Sequence, residues 1–431
     1  MPFITQGKTN IKYILIIVIL AAIVGGGILG YQYWWAEKQE TTPPEIKLPE
    51  KVATLEINLK TTKLATIPEK YNEVSDFIFT QDGRQVAYKA RQGAEWFVVI
   101  GEEEGKHYED VRDLVFSLDG QQLAYVAEKE GRFFVVVNKK ELTSYDSQSY
   151  YGPSDIVLSP DGKQLAYIIK ERIGNSIGKE SVVFNGKEGK FYDVAGEPKF
   201  YGEPSITLSP SSKNLAYRAA IFGKGELVVL NGEEGKEYDR VECLLFSSND
   251  EHFAYSAEEK GKCLLVIDGN ENTELCGCPF AFSPDSNYLV LGGGIDIYDL
   301  KTGKTVAKPE FEFGSQSTHS SYYSCTFSPD DQQLACNMEA QWGESVELNG
   351  KSTKSYSRVS FPVFSPDSKH LTYTASEFGD NPKEFIVVDG KEKIIDGQIS
   401  GPSLYFGPDS KSLVYGVKKG NELWWIEEEV K

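Results

Sequence analysis

"IVLSPDGKQLAY", residues 156–167, holds a short apolar strand, a turn and a second strand. Pro160 presets φ at the second turn position, Asp161 bonds locally, and Gly162 accepts positive φ. Leu165 and Tyr167 lie two apart and so share one face of the second strand. The pattern recurs. "FIFTQDGRQVAY" begins at Phe77, "LVFSLDGQQLAY" at Leu114, "ITLSPSSKNLAY" at Ile206 and "LLFSSNDEHFAY" at Leu244. "FAFSPDSNYLVL" begins at Phe280, "CTFSPDDQQLAC" at Cys325, "PVFSPDSKHLTY" at Pro362 and "LYFGPDSKSLVY" at Leu404. Nine copies, spaced 36 to 50 residues apart, have the period of propeller blades.

A third strand follows each copy after a variable gap, for example "WFVVIG" from Trp96, "ELVVLNG" from Glu226 and "FIVVDG" from Phe385. A hairpin such as "NGKEGKFYDV" from Asn185 then leads into a weaker fourth strand. Four antiparallel strands per repeat make one blade. The expected fold is therefore all-β, a β-propeller preceded by a single transmembrane helix. Nine blades exceed the usual number, so one copy is degenerate, or two smaller rings exist, or the ring is large. No Pro/Gly-rich linker divides the repeats, which favours one ring of eight to nine blades. The last repeat stops at Lys431 without a fourth strand. The segment from Lys70 aligns with that from Lys236 and is expected to supply it; "ATLEINLK" from Ala53 is a further strand without a place.

The recurring F-S-P-D-G/S-x-x-L-A-Y pattern resembles the TolB-like, WD-repeat-like β-propellers over residues 74–431. The resemblance implies that the first strand of each blade lines a central channel. It implies nothing specific about function, because such propellers host many roles.

Residues 13–35 carry no charge, long enough to cross a bilayer as a helix. Tyr31, Tyr33, Trp34 and Trp35 end the span as an aromatic belt would, and Lys8 and Lys12 precede it, placing residues 1–12 in the cytoplasm. A cleaved signal peptide would have a shorter apolar core and a small-residue end. The expected order is an anchor at 13–35, a Pro/Glu-rich linker at 36–52 and an extracytoplasmic propeller at 53–431, at the periplasm or cell surface. The net charge of -19 argues against a nucleic-acid partner. Four scattered histidines give no metal site, and no cofactor is expected.

Three motif matches fail on context. Gly174-Asn175-Ser176-Ile177-Gly178 fits G-x-S-x-G but lies between two antiparallel strands rather than on a strand-to-helix elbow. Gly25-Gly26-Gly27-Ile28-Leu29-Gly30 fits G-x-G-x-x-G but sits inside the membrane span; Gly26 and Gly30 there suit a weak helix dimer instead. Gly189-Lys190 resembles a phosphate loop, yet Phe191 and a strand follow, and a tight hairpin with solvated lysines explains the stretch better.

Strand 1–2 and 3–4 turns leave a blade on one face and are short and repetitive. The irregular loops fall on the other face, where binding usually resides. They carry Tyr150, Tyr151, Phe200, Tyr201, Phe311, Phe313, Tyr322 and Tyr323, with His319 in the same loop as Phe311. These aromatics either contact a partner or pack against the blade ends. The expected function is a non-catalytic scaffold for a protein or cell-envelope polymer. The alternative is a glycan-active hydrolase or lyase using carboxylates at the channel mouth.

Six cysteines in an exported domain suggest disulfides, with fifteen connectivities; six buried thiols are the alternative. Counting outwards from the turn at Pro329 sets Cys325 opposite Cys336, where directly opposed residues have the separation a disulfide needs. Cys263 faces Cys276 across a third-to-fourth strand hairpin, and Cys243 and Cys278 begin consecutive inner strands. Non-reducing peptide mapping is expected to recover these three pairs. Six free thiols would reject them, and with them the case for export.

Overall fold

The computed structural model describes residues 59–430, apart from 175, 195–205, 293–294, 307–319, 342, 380–381 and 400–403. The transmembrane expectation at 13–35 and the Gly26/Gly30 contact lie outside the described residues. Among those described, no helix is long and apolar enough to cross a membrane. The strands make eight antiparallel sheets. Five are four-stranded, two are five-stranded because the first strand is split, and one nine-stranded sheet joins two repeats through Tyr192–Asp193. Each of the first eight copies of the repeat supplies a four-stranded unit, and the ninth supplies three strands. In chain order the units span 73–104, 110–146, 154–188, 206–234, 240–272, 279–305, 320–352, 358–394 and 398–429.

The sequence pattern acts first at the turn. In the third unit the buried Ser159 hydroxyl donates to Asp161 at 2.8 Å and accepts from the Gln164 amide at 2.9 Å. Ser117, Ser283, Ser328 and Ser365 repeat this pair of bonds. Thr80 substitutes in the first unit. Gly407 replaces the serine in the last unit, and Ser412 donates to Asp409 instead. A buried hydroxyl is retained because it satisfies two polar groups at once.

The second strand then decides packing. In Val86-Ala87-Tyr88, the outer pair packs on the ninth unit while Ala87 packs on the second. Leu123-Ala124-Tyr125, Leu165-Ala166-Tyr167 and Leu215-Ala216-Tyr217 divide the same way between preceding and following units. Period-two alternation puts the large side chains on one face and the alanine on the other, so each sheet nests against the next. The packing continues to the last unit and returns to the first. Phe79 packs at a tilt on Trp425 with ring centroids 6.1 Å apart and lies against Gly416, where a Cβ would collide with its ring.

Closure differs in register from the sequence expectation. The strand that completes the last unit is Leu59–Thr66, antiparallel to Glu422–Glu429 from Leu59↔Glu428 to Thr66↔Glu422. The Lys70 segment has another role. Lys70 and Tyr71 both bind Glu104, at 2.5 and 2.8 Å. The same clamp recurs with Lys106/Tyr108 on Glu141, Lys190/Tyr192 on Glu234, Lys236/Tyr238 on Glu271, and Lys354/Tyr356 on Glu392. Lys190 of "NGKEGK" is therefore not merely solvated. Its ammonium, 2.6 Å from the carboxylate, pulls the Glu234 carboxyl below its usual range. Such exposed pairs are screened by solvent, so they align edges more than they stabilise.

The register anticipated for the cysteines is present. Cys325 is opposite Cys336, and the disulfides are Cys325–Cys336, Cys263–Cys276 and Cys243–Cys278. No free cysteine is left among the described residues.

Trp425→Ala removes a buried ring at the join between last and first units and is expected to cost about 3–5 kcal/mol in denaturant unfolding. Leu118→Ala, at a 62% exposed turn position, should change stability by less than about 0.5 kcal/mol.

Candidate ligand-binding face

The two ends of the sheets are built differently. At one end, Asn138, Asn185, Asn231, Asp268, Asn349 and Asp389 sit at positive φ in the 3–4 turns. Each side-chain oxygen accepts the amide that opens the second strand, at 2.8–2.9 Å. Asn185-Gly186 has φ values of 51° and 77°, the twist of a type I′ hairpin, so the "NGKEGK" stretch is a tight turn. These bonds hold the 1–2 and 3–4 turns together at one end. Neighbouring units are stitched there too, as the Asp119 amide donates to the Pro160 carbonyl and the Asp367 amide to the Ser410 hydroxyl. The repeated serine, aspartate and asparagine side chains of this face are thus engaged within the turns themselves.

The opposite end carries the 2–3 hairpins and the links between units. Ile173 (65% exposed), Ile177 (45%), Phe222 (91%) and Phe378 (58%) all lie at its hairpin tips. The longest hairpin is Leu165–Ile173 with Ser176–Phe184. It contains the G-x-S-x-G match as a plain turn, with Ile173 paired to Ser176 and Asn175 outside the described residues.

The first strands of successive units adjoin one another and form the inner edge. Each of four of these strands carries a bulge at the same place, with Asp76, Asp113, Asp155 and Cys243 at φ between 53° and 60°. Asp is one of the few non-glycine residues suited to that conformation. Three neighbouring units thus present a carboxylate at one level. Asp113 keeps 43% of its side chain exposed; partial burial pushes its carboxyl up, and Asp155, Asp110 and Asp76 push it further, against the opposing Arg112 guanidinium. Burial also raises Glu128 nearby. Arg112 lies 3.7 Å from Asp113 and 3.9 Å from Asp110, and stacks over Phe133. Among the described residues, no group of three or more His, Cys, Asp and Glu is placed to hold a metal ion.

The aromatic candidates divide. Tyr150 packs edge-on to Tyr145 at 5.3 Å inside the core between the second and third units. Tyr151 lies under the Arg172 guanidinium, 3.9 Å from its centroid. Tyr322 is 6% exposed and donates to Glu347 at 2.5 Å. Tyr323 is 36% exposed and donates to Glu344 at 3.1 Å. Phe200, Tyr201, Phe311, Phe313 and His319 lie outside the described residues. The carboxylates on the bulges were missed in the sequence, although Asp76, Asp113 and Asp155 each stand three residues before the end of the first strand.

No family model and no curated protein matches the chain. Solved structures do. A eukaryotic initiation factor is 14% identical over 67% of this chain and 79% of its own, with a TM-score of 0.45. A prolyl endopeptidase is 12% identical over 83% of this chain and 55% of its own, at 0.40. Prolyl oligopeptidase B from Galerina marginata is 11% identical over 81% and 55%, at 0.44. The chain spans about half the length of the two peptidases. Likeness this distant carries no argument about what the chain does.

Folding raises the Asp113 pKa, so the folded state disfavours its ionised form. That cost is absent below the unfolded value of about 3.9 and complete above the folded value. Asp113→Asn keeps a residue suited to positive φ. Solvent screens this partly exposed carboxyl, so the melting temperature is expected to rise only slightly at neutral pH and to be unchanged near pH 3, measured by calorimetry.

Proposed function

We propose that the chain is a membrane-tethered, extracytoplasmic β-propeller of the TolB-like, WD-repeat-like kind. It forms one ring of nine blades and binds a protein or cell-envelope polymer without catalysis. The asymmetry of the two faces carries this reading. One face has its turns bonded to one another, while the other exposes Ile173, Ile177, Phe222 and Phe378 around an inner edge of carboxylates. Nine units packed in sequence, with the last on the first, support the single ring. Pairing of all six cysteines supports an oxidising compartment.

Leu59 pairs with Glu428, at the end where the 3–4 turns lie, so the chain enters the fold from the turn face.

One observation favours the second reading. A partly buried carboxyl raised by three others, Asp155, Asp110 and Asp76, is what a general acid in glycan cleavage needs. In that case Asp113→Asn abolishes polysaccharide cleavage.

Crosslinking and pull-down from membranes tests the binding face. Replacing Ile173, Ile177 and Phe222 together by serine is expected to reduce recovery of the partner about tenfold or more. Leu118→Ser on the turn face should leave recovery unchanged. Equal recovery by both variants would remove the irregular face from consideration.

A further inference from the structure

The fifth unit, residues 240–272, ends unlike the units that carry a lysine–tyrosine clamp. In three of those units a tyrosine bridges back to the second residue of the third strand: Tyr108 to Trp96, Tyr238 to Glu226 and Tyr356 to Glu344. In the fifth unit Cys263 is that second residue, and its disulfide partner Cys276 takes the tyrosine's place. Two residues on, Cys278 is bonded to Cys243, the bulge residue of the fifth unit's first strand. Cys276-Gly277-Cys278 therefore holds one half of each of two disulfides, and Cys243–Cys278 covalently ties the fifth unit to the sixth.

The two bonds differ in access. Cys276 is exposed and Cys263 half-buried, whereas Cys243 and Cys278 are 8% and 7% exposed. A thiol in solution meets the outer bond and is kept from the inner one. Cys276 and Cys278 are adjacent enough to exchange, since two residues span at most about 7 Å and a disulfide forms when Cα atoms are about 4.4–6.8 Å apart. Gly277 between them has no side chain to resist bending.

We propose that Cys276-Gly277-Cys278 is a thiol–disulfide relay, through which an external dithiol reductant opens the buried bond between two sheets. A reductant thiolate attacks Cys276 Sγ, and Cys263 leaves as a thiolate and takes up a proton. The second reductant thiol resolves the mixed disulfide, leaving Cys276 as a thiolate and the reductant as its own disulfide. The protein has gained two electrons. The Cys276 thiolate then attacks Cys278 Sγ. A Cys276–Cys278 bond forms as Cys278–Cys243 breaks, and Cys243 leaves as a thiolate and is protonated. This second step consumes no electrons. Its product is a chain in which the tie between units has become a bond within one loop. The two sheets then keep only non-covalent contacts, among them the Ala254, Leu265, Leu289 and Leu291 cluster and the bond from the Ser248 hydroxyl to the Pro284 carbonyl. Cys325–Cys336, 9% and 0% exposed and without a neighbouring cysteine, has no such route.

Titration of the full chain with dithiothreitol, acid quenching and alkylation mapping tests this. At one equivalent the expected species has Cys243 and Cys263 alkylated, Cys276–Cys278 bonded and Cys325–Cys336 intact. In the doubly substituted Cys263→Ser, Cys276→Ser chain, opening of Cys243–Cys278 should slow about tenfold or more. Absence of a Cys276–Cys278 bond in the unsubstituted chain overturns the relay, whether or not the variant folds. So does opening of Cys243–Cys278 at the same rate in both chains.

Discussion

A sheet whose second strand reads Leu-Ala-Tyr has two apolar faces, and water is excluded from both only when a neighbour lies on each side. This constraint organises the molecule. Leu123 and Tyr125 are covered by the first unit and Ala124 by the third. Leu413 and Tyr415 are covered by the eighth unit. An open row would leave one apolar face bare at each end, so the last sheet must meet the first. Trp425, Leu423 and Phe79 form that join. The alanine position sets how closely sheets approach, because a larger side chain there would meet the Leu and Tyr of the next unit. The outer strand borrowed from residues 59–66 follows from the same need, since the ninth unit lacks an outer edge of its own.

Hydrogen bonding divides the molecule along a second direction. At the turn face the serine, aspartate and asparagine side chains are used by the backbone. Their recurrence is structural, and it explains why the most repetitive polar residues have the least to offer a ligand. At the other face the repeats diverge at the hairpin tips, where Ile173, Ile177, Phe222 and Phe378 stand exposed.

Most of the scaffold was legible in the sequence because its determinants are local. Ser159, Asp161 and Gly162 specify a turn within a few residues, and Leu165 and Tyr167 specify a face by spacing alone. The Cys325–Cys336 pair was legible for the same reason: once the turn is placed, opposition is arithmetic. The closing strand was less so. Residues 59–66 carry no repeat motif, and their partner is fixed only by contacts with a strand at the far end of the chain. The clamp was hidden because Tyr108 and Glu141 are 33 residues apart and belong to different units. The inner carboxylates were hidden because nothing in "VRDLVF" announces a bulge. Only the common register of Asp76, Asp113 and Asp155 does so.

The closing strand also orders the events of folding. Lys60 reaches Glu427 across 367 residues. On the ribosome the first strand emerges early and must wait, unpaired, until the final strand has been made. Intermediate units can stack as they appear, since each meets its predecessor through short-range contacts. Ring completion cannot be anticipated in this way and depends on the longest loop closure in the domain. Until then the edge at Glu422–Glu429 and the segment that covers it are two halves of an unfinished sheet. Two nascent chains held close together could therefore exchange their first strands, each closing the other's ring.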